Sequence, residues 1–125
     1  MEITIKTIKH SDQEYETVGN WHFDAQGNLN VFVSNMDNDD YAFLVGLHEM
    51  IEAWLCRKRG ISDESITEFD KVFEQNRKEG NTDEPGDDKL APYNLEHSFA
   101  TGIERIMASA LKIDWDEYDK SVFEL

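Results

Sequence analysis

Three ionisable residues, His48, Glu49 and Glu52, lie within five positions of a segment that is otherwise rich in apolar residues. His48 and Glu52 are four residues apart, so on a helix they lie one turn apart and can direct an imidazole nitrogen and a carboxylate oxygen at one ion. Glu49 lies to one side, where its carboxylate could take a proton from water without binding the ion. This spacing is compatible with a divalent-cation site able to activate water, and a second helix is needed to favour it over a metal-free polar network.

A second histidine and carboxylate follow at helical spacing. His97 and Glu104 are seven residues apart, or two turns, so they share a face. With His48 and Glu52, His97 completes a set of two imidazoles and one carboxylate, which suits zinc with an open coordination position and leaves manganese or magnesium as alternatives. Glu104 is expected to be either a fourth ligand, which would close the site and make it structural, or an acid that orients His97.

Tyr93 precedes His97 by one turn, at the predicted start of the same helix. A phenol at that position could donate a hydrogen bond to a developing oxyanion, although an ordinary aromatic residue near a helix start is the alternative. The sequence therefore predicts two catalytic residues, Glu49 and Tyr93, and four metal ligands, His48, Glu52, His97 and Glu104. The competing interpretation is a metal-free polar core in which a charged His48 pairs with the acids.

The elements that would position these residues can be read from periodicity. Residues 2–9, 15–23 and 29–33 have β-type patterns, and Gly27-Asn28 favours a hairpin between the last two. Residues 41–59 follow a helical pattern that is apolar all round, which predicts a buried helix. Further helices are expected from Ser62 to near Gly80, from 93 to 112 and from 114 to 122. We predict one α+β domain over residues 1–125, with a small N-terminal antiparallel sheet over residues 1–36. It packs on three main helices within residues 40–125, around a buried central helix.

Composition limits the functions open to this chain. It has 125 residues and a formal charge of −15, which argues against nucleic-acid binding because a phosphate backbone requires a basic surface. No apolar run approaches the ~20 residues needed to span a bilayer, and the N-terminus does not resemble a secretory signal. The single cysteine cannot form an internal disulfide, so the cytoplasm is the expected compartment.

Two resemblances add to this interpretation. His48-Glu49-Met50-Ile51-Glu52 resembles the active-site helix of the zincin metallopeptidases, H-E-x-x-H, with Glu52 in place of the second histidine. The resemblance implies that His48, Glu52 and His97 are ligands and that Glu49 is the general base. Residues 44–115, with the stretches EPGDD, APY and EHSFATGIE, also look like small uncharacterised bacterial and phage proteins.

Three functions remain open from the sequence. The first is a metal-dependent hydrolase, for which only the zincin likeness suggests peptide or amide substrates. The second is a magnesium-dependent nucleotide pyrophosphohydrolase, for which Glu49-x-x-Glu52 supplies half of an acidic signature and the second helix supplies no matching pair. The third is a non-catalytic interaction module with a structural metal or a metal-free polar core. Substrate, partner and oligomeric state are not predicted.

Overall fold

A computed structural model describes all 125 residues as a three-stranded sheet and four α-helices, which confirms the predicted α+β class. The strands are β1 (Ile3–Ile8), β2 (Gly19–Phe23) and β3 (Leu29–Ser34). The helices are α1 (Asp39–Lys58), α2 (Asp63–Gln75), α3 (Asn94–Ala110) and α4 (Trp115–Phe123). Two short 3-10 turns occupy His10–Asp12 and Pro85–Asp87.

The sheet is mixed, so the prediction of an antiparallel sheet is wrong for one of its two pairings. The β2–β3 hairpin is antiparallel as expected, but β1 pairs with β3 in parallel, giving the order β1-β3-β2. The central strand, β3, is the most apolar of the three. Its position buries Leu29, Val31 and Val33 completely. Between β1 and β3 the chain runs through the whole of β2, which gives it the length that a parallel connection requires.

Helix α1 lies between the sheet and α3. Asn38 caps its N-terminus by accepting a hydrogen bond from the Tyr41 amide. Gly46 allows close packing on the sheet, since a Cβ there would lie 2.9 Å from Cγ2 of Ile5. The helix is not buried all round as predicted: Phe43 is 53% exposed and Trp54 is 37% exposed. Helix α1 buries the sides that contact the sheet and α3. No other element covers the rest of its surface, so large apolar residues there remain exposed.

Helix α3 packs along α1 and brings its own polar residues to the same buried seam. His97 and Glu104 face α1 and are almost fully buried. Helix α2 ends at Gln75, several residues before the predicted boundary near Gly80, and Asn76 forms its C-cap. None of the four helices has the length and apolar character needed to cross a lipid bilayer.

Candidate metal centre

Three side-chain atoms from α1 and α3 form a nearly equilateral triangle. Nε2 of His48 and Nδ1 of His97 each lie 3.1 Å from Oε2 of Glu52, and the two nitrogens are 3.2 Å apart. All three residues are at most 6% exposed. Four ligands arranged tetrahedrally at ~2.1 Å from a zinc ion would lie about 3.4 Å from one another. The triangle therefore has the composition and the size of three ligand atoms that could hold a metal ion.

The second nitrogen of His48 is held by a carboxylate. Nδ1 of His48 lies 2.7 Å from Oε1 of Glu104, and the Tyr118 hydroxyl donates to the other oxygen of Glu104. A proton on Nδ1 leaves the lone pair on Nε2 free to point into the triangle. Glu104 thus lies behind His48 and outside the triangle. It orients His48, not His97 as one of the two expectations had it, because α3 places Glu104 against the first imidazole.

The second nitrogen of His97 is held by a loop. Nε2 of His97 lies 3.1 Å from Oδ1 of Asp87 and 3.1 Å from Oε2 of Glu84, so a proton on Nε2 is shared between two carboxylates. Gly86 lies between these acids and packs on the ring, since a Cβ there would be 2.4 Å from Cγ of His97. This loop therefore fixes the imidazole so that Nδ1 faces the triangle.

Protons and a cation compete for the three atoms of the triangle. Burial disfavours a charged His97, but hydrogen bonds with Asp87, Glu52 and Glu84 raise its pKa to about 12. Burial acts the same way on His48, and Glu104 and Glu52 raise its pKa well above the usual value. Burial alone would raise the pKa of Glu52, but its bonds with both histidines lower it to about 2. Either imidazolium–carboxylate pairs or a cation in place of the protons can balance these charges.

Glu49 lies next to the triangle and lines a cleft of about 300 Å³, which is also lined by His48, Glu52 and His97. Burial, reinforced by the charge of Glu52, raises the pKa of Glu49 well above the usual value. Gly19 gives the side chain its space, because a Cβ on Gly19 would lie 2.7 Å from Oε1 of Glu49. Glu49 thus lies on the lining of the cleft and holds a proton more readily than an exposed glutamate does.

The Tyr93 hydroxyl binds a carboxylate on α2. Its hydroxyl donates to Oδ1 of Asp70, and Tyr15 donates to Oδ2 of the same carboxylate at 2.7 Å. The Tyr93 hydroxyl is therefore engaged away from the triangle, while its ring stands perpendicular to the His97 ring with centroids 5.9 Å apart. A buried carboxylate on α2 thus accepts the only proton that the phenol can donate, and the oxyanion role of Tyr93 stays a prediction.

The sequence analysis did not assign several residues that surround the site. The Trp21 indole donates to Oε1 of Glu52 at 3.3 Å, which leaves the other oxygen for the triangle. Trp21 lies on β2, while Glu84 and Asp87 lie at the two ends of the short 3-10 turn before α3, so no α-helical spacing links them to the histidines. The only available signal was the acidic EPGDD stretch itself. Asp70 gave no signal, because its position on α2 matches that of a solvated acid.

Comparisons with protein-family models, with curated proteins and with solved structures find no match for this chain. The arguments for its function therefore come from its own residues.

Proposed function

We propose that this protein is a metal-dependent hydrolase that holds a single zinc ion on His48, Glu52 and His97. The observation that carries the proposal is the triangle, in which each ligand's second polar atom is already engaged. Glu104 holds one imidazole, Asp87 and Glu84 hold the other, and Trp21 holds the carboxylate. Histidines whose second ring nitrogen is hydrogen-bonded to a carboxylate are characteristic of metal sites. Two imidazole nitrogens favour zinc over magnesium, with manganese as the alternative.

The ligand count supports catalysis over a structural role. With Glu104 bound behind His48, three protein atoms remain for the ion, and catalytic zinc sites have three protein ligands where structural sites have four. An ion at this position would lower the pKa of water and polarise a carbonyl oxygen. Glu49 lines the adjoining cleft, accepts the proton from water and can pass it to the leaving group. The arrangement corresponds to the zincin likeness, with Glu52 as the third ligand.

The charge of the cleft favours a carbonyl substrate over a phosphate chain. Arg77 is the one lysine or arginine along its lining, and both oxygens of Glu74 already hold that guanidinium. Apart from the histidines, the remaining charged groups along the cleft are carboxylates. Their negative charge repels a nucleoside triphosphate. The cleft thus has no free lysine or arginine to bind the phosphates of a pyrophosphohydrolase substrate. The magnesium-dependent alternative is therefore less well supported.

The proposal is tested by combining metal analysis with Glu49→Gln. Untagged protein should carry about one zinc per chain by elemental analysis, and a panel of fluorogenic amides, esters and peptides should reveal a zinc-dependent hydrolysis. Glu49→Gln removes the base and keeps the shape, so zinc should stay bound while kcat falls by about 10²-fold or more. Glu64→Gln, an exposed acid on α2, is the matched control. Zinc that does not bind, or a Gln variant with full activity, would overturn the mechanism.

A further inference from the structure

Helix α3 carries an apolar stripe on the side away from the metal centre. Leu95, Phe99 and Ile106 are 74%, 57% and 68% exposed, and Gly102 lies between the last two. Their spacing of four, three and four residues places them on one face of the helix, as in the seam of a coiled coil. None of the four lines the cleft. Large apolar side chains lined up in this way indicate an interaction surface.

Gly102 has no role within its own chain. It lies in the interior of α3 with an ordinary negative φ, and a Cβ added to it would meet nothing within 4 Å. Glycine is the least favourable helix residue after proline, so this position would gain stability from alanine. Its missing side chain becomes useful only if a group from another molecule packs there.

The charge around the stripe points to a second copy of the same chain. The protein carries a formal charge of −15, yet the exposed side of α3 contains no acid and one base. Its exposed residues are Leu95, Ser98, Phe99, Gly102, Arg105, Ile106, Ser109 and Ala110. Two such surfaces meet without the repulsion that the rest of the molecule would impose.

The order of residues along the stripe is self-complementary. When two α3 helices run antiparallel about a two-fold axis between residues 100 and 101, Phe99 of each copy lies opposite Gly102 of the other, and Leu95 lies opposite Ile106. Each ring then fills the space over a glycine, and each residue pair occurs twice, as two-fold symmetry requires. We propose that the protein forms a homodimer through antiparallel pairing of α3, centred on Phe99 and Gly102.

The size of the stripe sets the strength of this dimer. From their exposed fractions, Leu95, Phe99 and Ile106 together expose on the order of 400 Å² per copy, so these side chains bury at most roughly 800 Å² in a pair, below the 1,200–2,000 Å² of standard stable interfaces. We therefore expect a weak dimer that forms only at high protein concentration. It forms with or without a metal ion, because the stripe shares no residue with the metal centre, and it leaves the cleft open.

Sedimentation equilibrium of the full chain, from low micromolar to several hundred micromolar, tests the proposal. The wild-type protein should shift from one chain to two over this range. Gly102→Leu fills the space for the ring, and its Cβ meets nothing within 4 Å in its own chain, so helix content should stay while the dimer Kd rises at least tenfold. Ile106→Glu places an acid in the seam and should give the same loss. Lys71→Leu, which adds the same side chain to an exposed position of α2, should leave the Kd unchanged.

A swap of the large and small residues tests the pairing itself. Phe99→Ala combined with Gly102→Phe recreates the match with the partners exchanged, so it should recover most of the affinity that Gly102→Phe alone removes. A wild-type chain that stays monomeric throughout would overturn the proposal, as would a dimer that tolerates Gly102→Leu and Ile106→Glu. A swap that restores no affinity would overturn the antiparallel pairing.

Discussion

Nε2 of His48 and Nδ1 of His97 lie 3.2 Å apart in the buried seam between α1 and α3, although 49 residues separate them in the chain. Two imidazole nitrogens at this distance cannot both present bare lone pairs to each other, so protons or a cation must lie between them and Glu52. The approach of α3 to α1 is therefore coupled to whatever occupies the triangle. Stability and ion binding should depend on each other in this protein.

Zinc should stabilise the wild-type fold through the two histidines. Free zinc at a hundredfold excess over its Kd contributes about 2.7 kcal/mol to the free energy of unfolding, which should appear as a rise in Tm of several degrees over protein with chelator. His48→Ala and His97→Ala each remove one ligand and should abolish this rise. Differential scanning calorimetry with and without zinc measures the difference.

The matched control is His22→Ala, because His22 pairs with Asp63 and Glu14 outside the triangle. That variant should keep the full zinc-dependent rise in Tm. An equal rise in His48→Ala and in the wild type would mean that zinc binds elsewhere on this acidic protein.

Zinc affinity should also depend on the carboxylates behind the histidines. Glu104→Gln and Asp87→Asn keep all three ligand atoms but weaken the bonds that orient Nδ1 of His48 and Nε2 of His97. Loss of such partners typically lowers metal affinity 10- to 100-fold. Competition with a chromophoric chelator measures this Kd. Glu16→Gln, at a carboxylate bound to His10 instead, should leave the affinity unchanged, whereas an unchanged Kd in Glu104→Gln would contradict the role assigned to Glu104.

The sequence was informative where one helix supplied the whole pattern. His48, Glu49 and Glu52 lie within five residues of α1, so helical geometry alone predicted that they are neighbours. The alignment of His97 with Glu104 on α3 was predictable for the same reason. The partners of these side chains were not, because they depend on how two helices pack. Glu104 reaches His48 on α1, and the Tyr93 hydroxyl reaches Asp70 on α2.

The topology of the sheet shows the same limit at a larger scale. Alternating residues located the three strands, and Gly27, with its positive φ of 79°, marked the hairpin. Strand order depends on which strand best fills the core, and that comparison involves residues far apart in sequence. Glu84 and Asp87 remained unassigned because a single 3-10 turn within a loop is too short to show a period from which the direction of a side chain can be read.

Gly86→Ala should disrupt the site through sterics alone. The new Cβ would lie 2.4 Å from Cγ of His97, a distance that forces the ring or the loop to move. We expect zinc affinity to fall at least tenfold and the free energy of unfolding to fall by about 1–3 kcal/mol, as for other overpacked sites. Isothermal titration and urea unfolding measure the two effects.

Gly102→Ala is the control for Gly86→Ala, since its added Cβ meets nothing within 4 Å. It should keep the wild-type zinc affinity and raise helix stability by up to about 1 kcal/mol. Wild-type zinc affinity in Gly86→Ala would show that the loop does not hold His97 in place.

Asp70 should make stability fall as pH rises. Burial raises the pKa of this carboxyl from 3.8 to about 6, against the opposing hydrogen bonds from Tyr93 and Tyr15. Between these two values the folded chain binds more protons at Asp70 than the unfolded chain, so the contribution of Asp70 to stability is lost as pH rises through about 6. Ionising a carboxyl with this shift costs about 3 kcal/mol of folding free energy.

The variant Asp70→Asn tests this contribution, because it keeps an acceptor for one tyrosine and cannot ionise. Urea unfolding in chelator should therefore show the stability of the wild type, relative to Asp70→Asn, falling by about 2 kcal/mol from pH 4 to pH 7, because the unfolded carboxyl is already more than half ionised at pH 4. Asp12→Asn, at an exposed position, controls for the loss of one acid. A relative stability that stays constant or rises over this range would contradict a buried Asp70 that accepts hydrogen bonds from both tyrosines.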